Sequence, residues 1–138
     1  MADNISRVDH YSTTIPNKVG EGARVLGALR DGGVNLIALW AYPESARQAQ
    51  LEMIPASSAG FAQAAKKAGL KVGKKQTAFF INGEDRPGAL VETFSKLAGA
   101  GTNIDAVKAV CGGAGRYGAI ILVPQKDIRR ASRALGVS

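Results

Sequence analysis

The chain has 138 residues, enough for one ordinary domain or two minimal ones, with 46% hydrophobic residues, 21% charged residues and a formal net charge of +7. These proportions exclude a disordered polymer and a coiled coil, and no apolar run reaches the roughly 18 residues of a membrane-spanning helix. The N-terminal segment has no apolar signal core, and the single cysteine, Cys111, has no partner for an internal disulfide, so a cytoplasmic location is expected.

Arg7 to Thr14 reads as a strand, followed by the loop Ile15-Pro16-Asn17-Lys18-Val19-Gly20. Gly22, Leu26 and Leu29 then fall on one helix face, and Asp31-Gly32-Gly33 ends that helix because glycine tolerates a left-handed cap. Val34 to Tyr42 and Gln48 to Ile54 form a predicted hairpin around Pro43-Glu44-Ser45. Phe61, Ala64, Ala65 and Ala68 mark a second helix, Gly69 stops it, and Leu70 to Val72 is a short final strand.

After the brief connection Gly73 to Gln76 the order starts again. Thr77 to Gly83 is a strand, Leu90, Phe94 and Leu97 mark a helix, and Thr102 to Cys111 and Arg116 to Val123 are strands around a glycine-rich turn. Ile128, Ala131 and Leu135 give the last helix. Gly20, Gly33 and Asn35 recur as Gly88, Gly101 and Asn103, each 68 residues later (20 to 88, 33 to 101, 35 to 103). The predicted class is α+β: two tandem ferredoxin-like βαββαβ repeats, residues 1–73 and 74–138, with antiparallel sheets and helices on one face. The final strand of the second copy is short or missing, which leaves an exposed edge or one paired by a partner. Leu36 to Trp40 and Ala119 to Val123 are apolar on both faces, so both faces are expected to be covered and a homodimer is predicted.

The loop Asp85-Arg86-Pro87-Gly88-Ala89 leaves a strand and starts a helix. Asp85 suits a cap, Pro87 the first turn, and Gly88 lets a ligand approach the backbone. Free amides at a helix start receive a carboxylate, and Asn103 offers a donor and an acceptor from the next strand. Together they suit the α-carboxylate and α-ammonium of an amino acid.

At these residues the chain resembles the ACT domain family. Asn82-Gly83-Glu84-Asp85-Arg86-Pro87-Gly88-Ala89-Leu90 is similar to the family's D-x-P-G-x-L start of its first helix, and Gly101-Thr102-Asn103-Ile104 to its G-x-N-I start of the second strand. Gly33-Val34-Asn35-Leu36 repeats the latter in the first copy. The resemblance covers nearly the whole chain and is nearest to small stand-alone tandem ACT proteins. It implies a ligand-binding regulator, with a metabolic enzyme as the partner it controls. It assigns Asp85, Arg86, Gly88, Ala89, Asn103 and Ile104 to one ligand site, and Asn17, Gly20, Asn35 and Leu36 to a second. The second departs from the pattern, with Asn17 at the acid's position and Val19 at the proline's.

The basic charge and the element order also suit an RNA-recognition module, a competing expectation. Ala78 to Gly83 and Gly115 to Ile120 loosely match its two strand motifs, but the longer motif needs a second aromatic where Ala119 stands. The basic residues Lys66, Lys67, Arg129, Arg130 and Arg133 fit solvated helix surfaces instead, so nucleic acid is not the expected partner. With one histidine, one cysteine and no clustered carboxylates, the sequence predicts no metal, no cofactor and no catalysis. His10 is expected on the surface and Cys111 in a buried strand. The predicted role is a non-catalytic sensor that responds to an amino acid through domain or subunit contacts.

Overall fold

The computed structural model describes residues 3–138. In chain order the elements are β1 (Asn4–Pro16), α1 (Glu21–Asp31), β2 (Leu36–Pro43), β3 (Gln48–Pro55), α2 (Phe61–Lys67), β4 (Gln76–Glu84), α3 (Val91–Gly99), β5 (Ala106–Gly113), β6 (Arg116–Leu122) and α4 (Ile128–Leu135), with a single 3-10 turn at Gln125–Asp127. All strand pairs with a defined register are antiparallel, so the class is α+β. The described residues separate into two compact units: Asp9–Gln76, and Thr77–Ser138 together with the residues up to Val8.

In the unit Asp9–Gln76, β1 pairs with β3 from Tyr11↔Met53 to Pro16↔Gln48, and β3 pairs with β2. Alternation along β1 and β3 sends Tyr11, Ile15, Leu51 and Met53 to one face. There they pack against Val25 and Leu29 of α1 and Phe61 and Ala65 of α2. The buried face of α1 is thus Val25 and Leu29, whereas Leu26 is exposed and Gly22 is also on the surface. Leu29 is buried as expected, but Val25, four residues before it, takes the inward place expected of Leu26 and Gly22. Gly32 is required for close approach, since a Cβ there would lie 2.9 Å from Ala64 Cβ on α2.

Leu70 to Val72 forms no strand. Gly73 N–H donates to Ser12 O at 2.8 Å, and Lys71 O accepts from Thr13 Oγ1 at 2.8 Å. A side chain has taken the carbonyl a ladder would use, so the segment lies against β1 without becoming a regular strand.

In the other unit β4 pairs with β6 and β6 with β5. Phe79, Ile81, Tyr117, Ala119 and Ile121 face Leu97 of α3 and Ile128, Ala131 and Leu135 of α4. β6 is buried on both faces, with Ile120 and Ile121 both covered, but Ile37 and Leu39 of β2 are exposed, contrary to the expectation for that strand. The other side of β4 is occupied by the start of β1, and Ile5 packs onto this core. The edge is therefore neither bare nor left for a partner.

The 68-residue repeat is also visible in backbone hydrogen bonds. Asn17 N–H donates to Arg47 O at 2.8 Å, and Asp85 N–H donates to Gly115 O at 2.9 Å (17 to 85, 47 to 115). Val34 N–H donates to Leu29 O and Thr102 N–H to Leu97 O, both closing the turn after a helix (34 to 102, 29 to 97).

Leu97→Ala is expected to cost about 2–5 kcal/mol in urea unfolding, the range for truncating a fully buried leucine. Ile5→Ala is expected to destabilise the unit that contains Thr77–Ser138 by about 1–2 kcal/mol, because it is only partly buried. No destabilisation by Ile5→Ala would mean that the N-terminal strand does not complete that core.

Candidate functional site

The two candidate loops are built alike but carry different side chains. Gly20 and Gly88 both adopt left-handed conformations, with φ 89° and 66°, so both positions require glycine. At Gly88 this departure from helical φ delays α3 to Val91, after the turn bonds Ala89 N–H to Arg86 O and Val91 N–H to Gly88 O. The helix does not start at Asp85, and no side chain caps it.

Asp85 instead faces an open cleft of about 350 Å³ lined by Gly88, Ala89, Leu90, Ala109, Val110, Cys111 and Tyr117. Cys111 Sγ donates to Asp85 Oδ2 at 3.2 Å. Cys111 is exposed rather than buried, because β5 is covered on neither side along most of its length. Leu90, the residue from which α3 starts, also lines it, so the cleft combines a carboxylate, the backbone leading into a helix and an apolar wall.

Arg86 reaches away from this cleft. Its guanidinium donates to Asp3 Oδ1 at 3.1 Å and Oδ2 at 3.4 Å, to Glu84 O at 2.9 Å and to Ala89 O at 3.4 Å. Tyr117 Oη donates to Asp3 Oδ2 at 2.8 Å. Burial pushes the Asp3 carboxyl up, but hydrogen bonds from Arg86 and Tyr117 and the charges of Arg86 and Arg116 outweigh it, holding the group below its ordinary value. Burial and the bond to Asp3 push the Tyr117 phenol up to about 12.

Asn103 and Ile104 do not line the cleft. Asn103 is exposed ahead of β5, which begins only at Ala106, and Ile104 packs onto the core behind it. In the other unit Asn17 is spent structurally: its Nδ2 donates to Ser45 O at 3.2 Å, steadying the β2–β3 hairpin. Gly20 caps α1, Asn35 O accepts from Ala56 N–H, and Leu36 packs on the core. The structure thus gathers Asp85, Gly88 and Ala89 at one cleft, turns Arg86 towards Asp3, and leaves Asn103 and Ile104 outside it.

His10 is buried, not on the surface. Glu52 Oε1 lies 2.6 Å from His10 Nε2 and accepts from Ser12 Oγ at 2.6 Å, while Glu52 Oε2 accepts from Gln50 Nε2 at 2.9 Å. The imidazole stacks on Trp40 with centroids 5.5 Å apart. Of the aromatic residues in the RNA-like motifs, Phe79 and Tyr117 are in the core and Phe80 alone is half-buried, short of the paired aromatics a stacking platform needs. Among the described residues no helix is long and apolar enough to cross a membrane.

No family model and no curated protein matches the chain. Solved structures do. Protein BT0572 from Bacteroides thetaiotaomicron is 21% identical, with 97% of this chain and 92% of that one covered at a TM-score of 0.78. The ligand-free regulatory subunit of aspartate kinase from Thermus thermophilus is 20% identical, covering 98% and 93% at 0.63. The allosteric aspartate kinase of Clostridium acetobutylicum is 14% identical and covers 96% of this chain but 33% of the enzyme, at 0.57. At these identities the likeness shows the fold, and that fold is ACT-like.

Because Asp3 is held below its ordinary value of 3.8, its contribution to stability is complete above that value and disappears as pH falls through the lowered one. The stability difference between the wild type and Asp3→Asn should therefore be constant near neutrality and close in acid, as read from urea unfolding at stepped pH. A difference that stays constant into strong acid would rule out this linkage.

Proposed function

We propose that the chain is a non-catalytic regulatory protein whose cleft at Asp85, Gly88 and Ala89 binds a free amino acid. The observation that carries this reading is the convergence of a carboxylate, a left-handed glycine and a helix start on one small cleft. The ligand's ammonium would meet Asp85, its carboxylate the backbone of Gly88 to Leu90 leading into α3, and its side chain Ala109, Val110 and Leu90. Arg86 is not the carboxylate receptor, because Asp3 already holds it.

The fold supports a regulatory role by analogy, since aspartate kinase regulatory subunits share it. The partner would be a metabolic enzyme in the cytoplasm. The only histidine is tied into a buried network with Glu52, which supports binding rather than acid–base chemistry. Asn103 and Ile104 would contribute only if a second copy brought them to the cleft. The reading of the chain as a duplication belongs to this proposal, with each copy observed as βαββα rather than βαββαβ, and is supported by the hydrogen bonds repeated 68 residues apart (17 to 85, 29 to 97).

Thermal-shift screening of the twenty amino acids is expected to give stabilisation by at least one. Gly88→Trp should abolish it, by strain at positive φ and by filling the cleft, and Asp85→Asn should weaken it about tenfold or more. No shift with any amino acid would count decisively against the reading.

Self-association is proposed through β5, the outer strand of its unit, which exposes Val107 and Val110. Sedimentation should show a dimer that Val110→Lys dissociates. A monomer at all concentrations would remove this part.

A further inference from the structure

The first residues of the chain do more than complete an edge. Asp3 is only 9% exposed in its side chain, although it lies just ahead of β1. It sits in a fitted recess: a Cβ on residue 83 would lie 2.1 Å from Asp3 Oδ1 and 2.7 Å from Tyr117 Cε1, so only glycine at position 83 admits the carboxylate. Gly83 is needed here for space alone, not for an unusual backbone angle.

The same guanidinium that holds Asp3 also ties the two ends of the candidate loop together, through Glu84 O and Ala89 O. The same tyrosine that donates to Asp3 also walls the cleft. We propose that Asp3 is a positioning residue for the candidate ligand loop: held by Gly83, Arg86 and Tyr117, its carboxylate fixes Asp85–Gly88 in the conformation that receives a ligand.

This rests on the amino-acid-binding reading for its purpose but not for its geometry. The guanidinium bonds the carbonyls at both ends of the loop as well as the Asp3 carboxylate, so the ion pair bears directly on the loop's shape. The other unit has no counterpart: Lys18, Ile15 and Ala49 stand where the repeat would place Arg86, Gly83 and Tyr117 (18 to 86, 15 to 83, 49 to 117). Pre-organising the loop reduces the ordering cost of binding, so the latch would raise the affinity of this cleft only.

Amide hydrogen exchange on the full chain tests the latch without any ligand. Asp3→Asn keeps the shape of the side chain and removes its charge; exchange across Asp85–Val91 should rise at least about tenfold, the scale of a charge-assisted hydrogen bond, while Val107–Cys111 and the unit Asp9–Gln76 remain unchanged. Arg86→Lys, which keeps the charge but cannot span both carbonyls, should loosen the same amides. If the loop is unaffected, or if every amide of the unit accelerates together, Asp3 is not a latch. With whichever of the twenty amino acids stabilises the wild type, Asp3→Asn should weaken binding about tenfold. Equal affinity would overturn the latch alone, whereas a chain that binds none of them but loosens its loop in Asp3→Asn retains the latch and loses the amino-acid reading.

Discussion

The constraint on which the second unit depends is the free edge of β4. A strand paired on one side only leaves a row of backbone donors and acceptors that must find partners in the chain, in another chain, or in water. β4 has β6 on one side. The start of β1 occupies the other side, and Ile5 brings an apolar side chain to the core from the same segment. Once β1 is used in this way, the placement of Asp3 follows: it precedes the strand, beside Gly83 on β4 and Tyr117 on β6. The loop after β4 then acquires an anchor that no residue near it in sequence could have provided.

A different problem is solved around Glu52. A buried carboxylate is costly unless its oxygens are satisfied, and here donors come from Ser12 and Gln50, with His10 at 2.6 Å. Register explains the meeting, since Ser12 and Trp40 lie opposite Glu52 on its two flanking strands. His10 Nδ1 has no hydrogen-bond partner and is enclosed, with the ring stacked on Trp40. The geometry is that of a structural network: the carboxylate bridges the hydroxyl and the imidazole, so the imidazole is not placed to take a proton from Ser12. The sole histidine is thereby committed to holding strands together.

Legibility in the sequence followed the range of the interaction. Strand alternation and helix spacing are local, so β3, α2, β6 and α4 could be read from Leu51 and Met53, from Phe61 and Ala65, from Ile121, and from Ile128, Ala131 and Leu135. The Asp85–Gly88 loop was legible because its glycine must sit at positive φ and its spacing to Asn103 copies that from Gly20 to Asn35. What could not be read are contacts made across the sheet or across the chain. Asp3 and Arg86 are 83 residues apart in sequence, and no local pattern marks a carboxylate before a strand as buried. His10 and Cys111 were misplaced for a related reason: their exposure depends on which neighbours cover each strand, and alternation within one strand does not contain that information.

The repeated loops show backbone geometry outlasting side-chain chemistry. In each, the residue 68 positions apart, Asn17 or Asp85, donates its amide to the following hairpin, and a left-handed glycine comes three residues later (17 to 20, 85 to 88). The side chains have then gone separate ways. Asn17 turns its amide onto Ser45 O and so becomes part of the hairpin it touches. Asp85 keeps its carboxylate at the cleft, where the weak donor of Cys111 meets it, while the neighbouring Arg86 is drawn off by Asp3. Had Arg86 been free, it would have competed with any ligand ammonium for Asp85. Holding it at Asp3 removes that competitor and leaves Asp85 as the charged group facing the cleft, a role that Asn17, bonded to Ser45 O, does not have in the first loop.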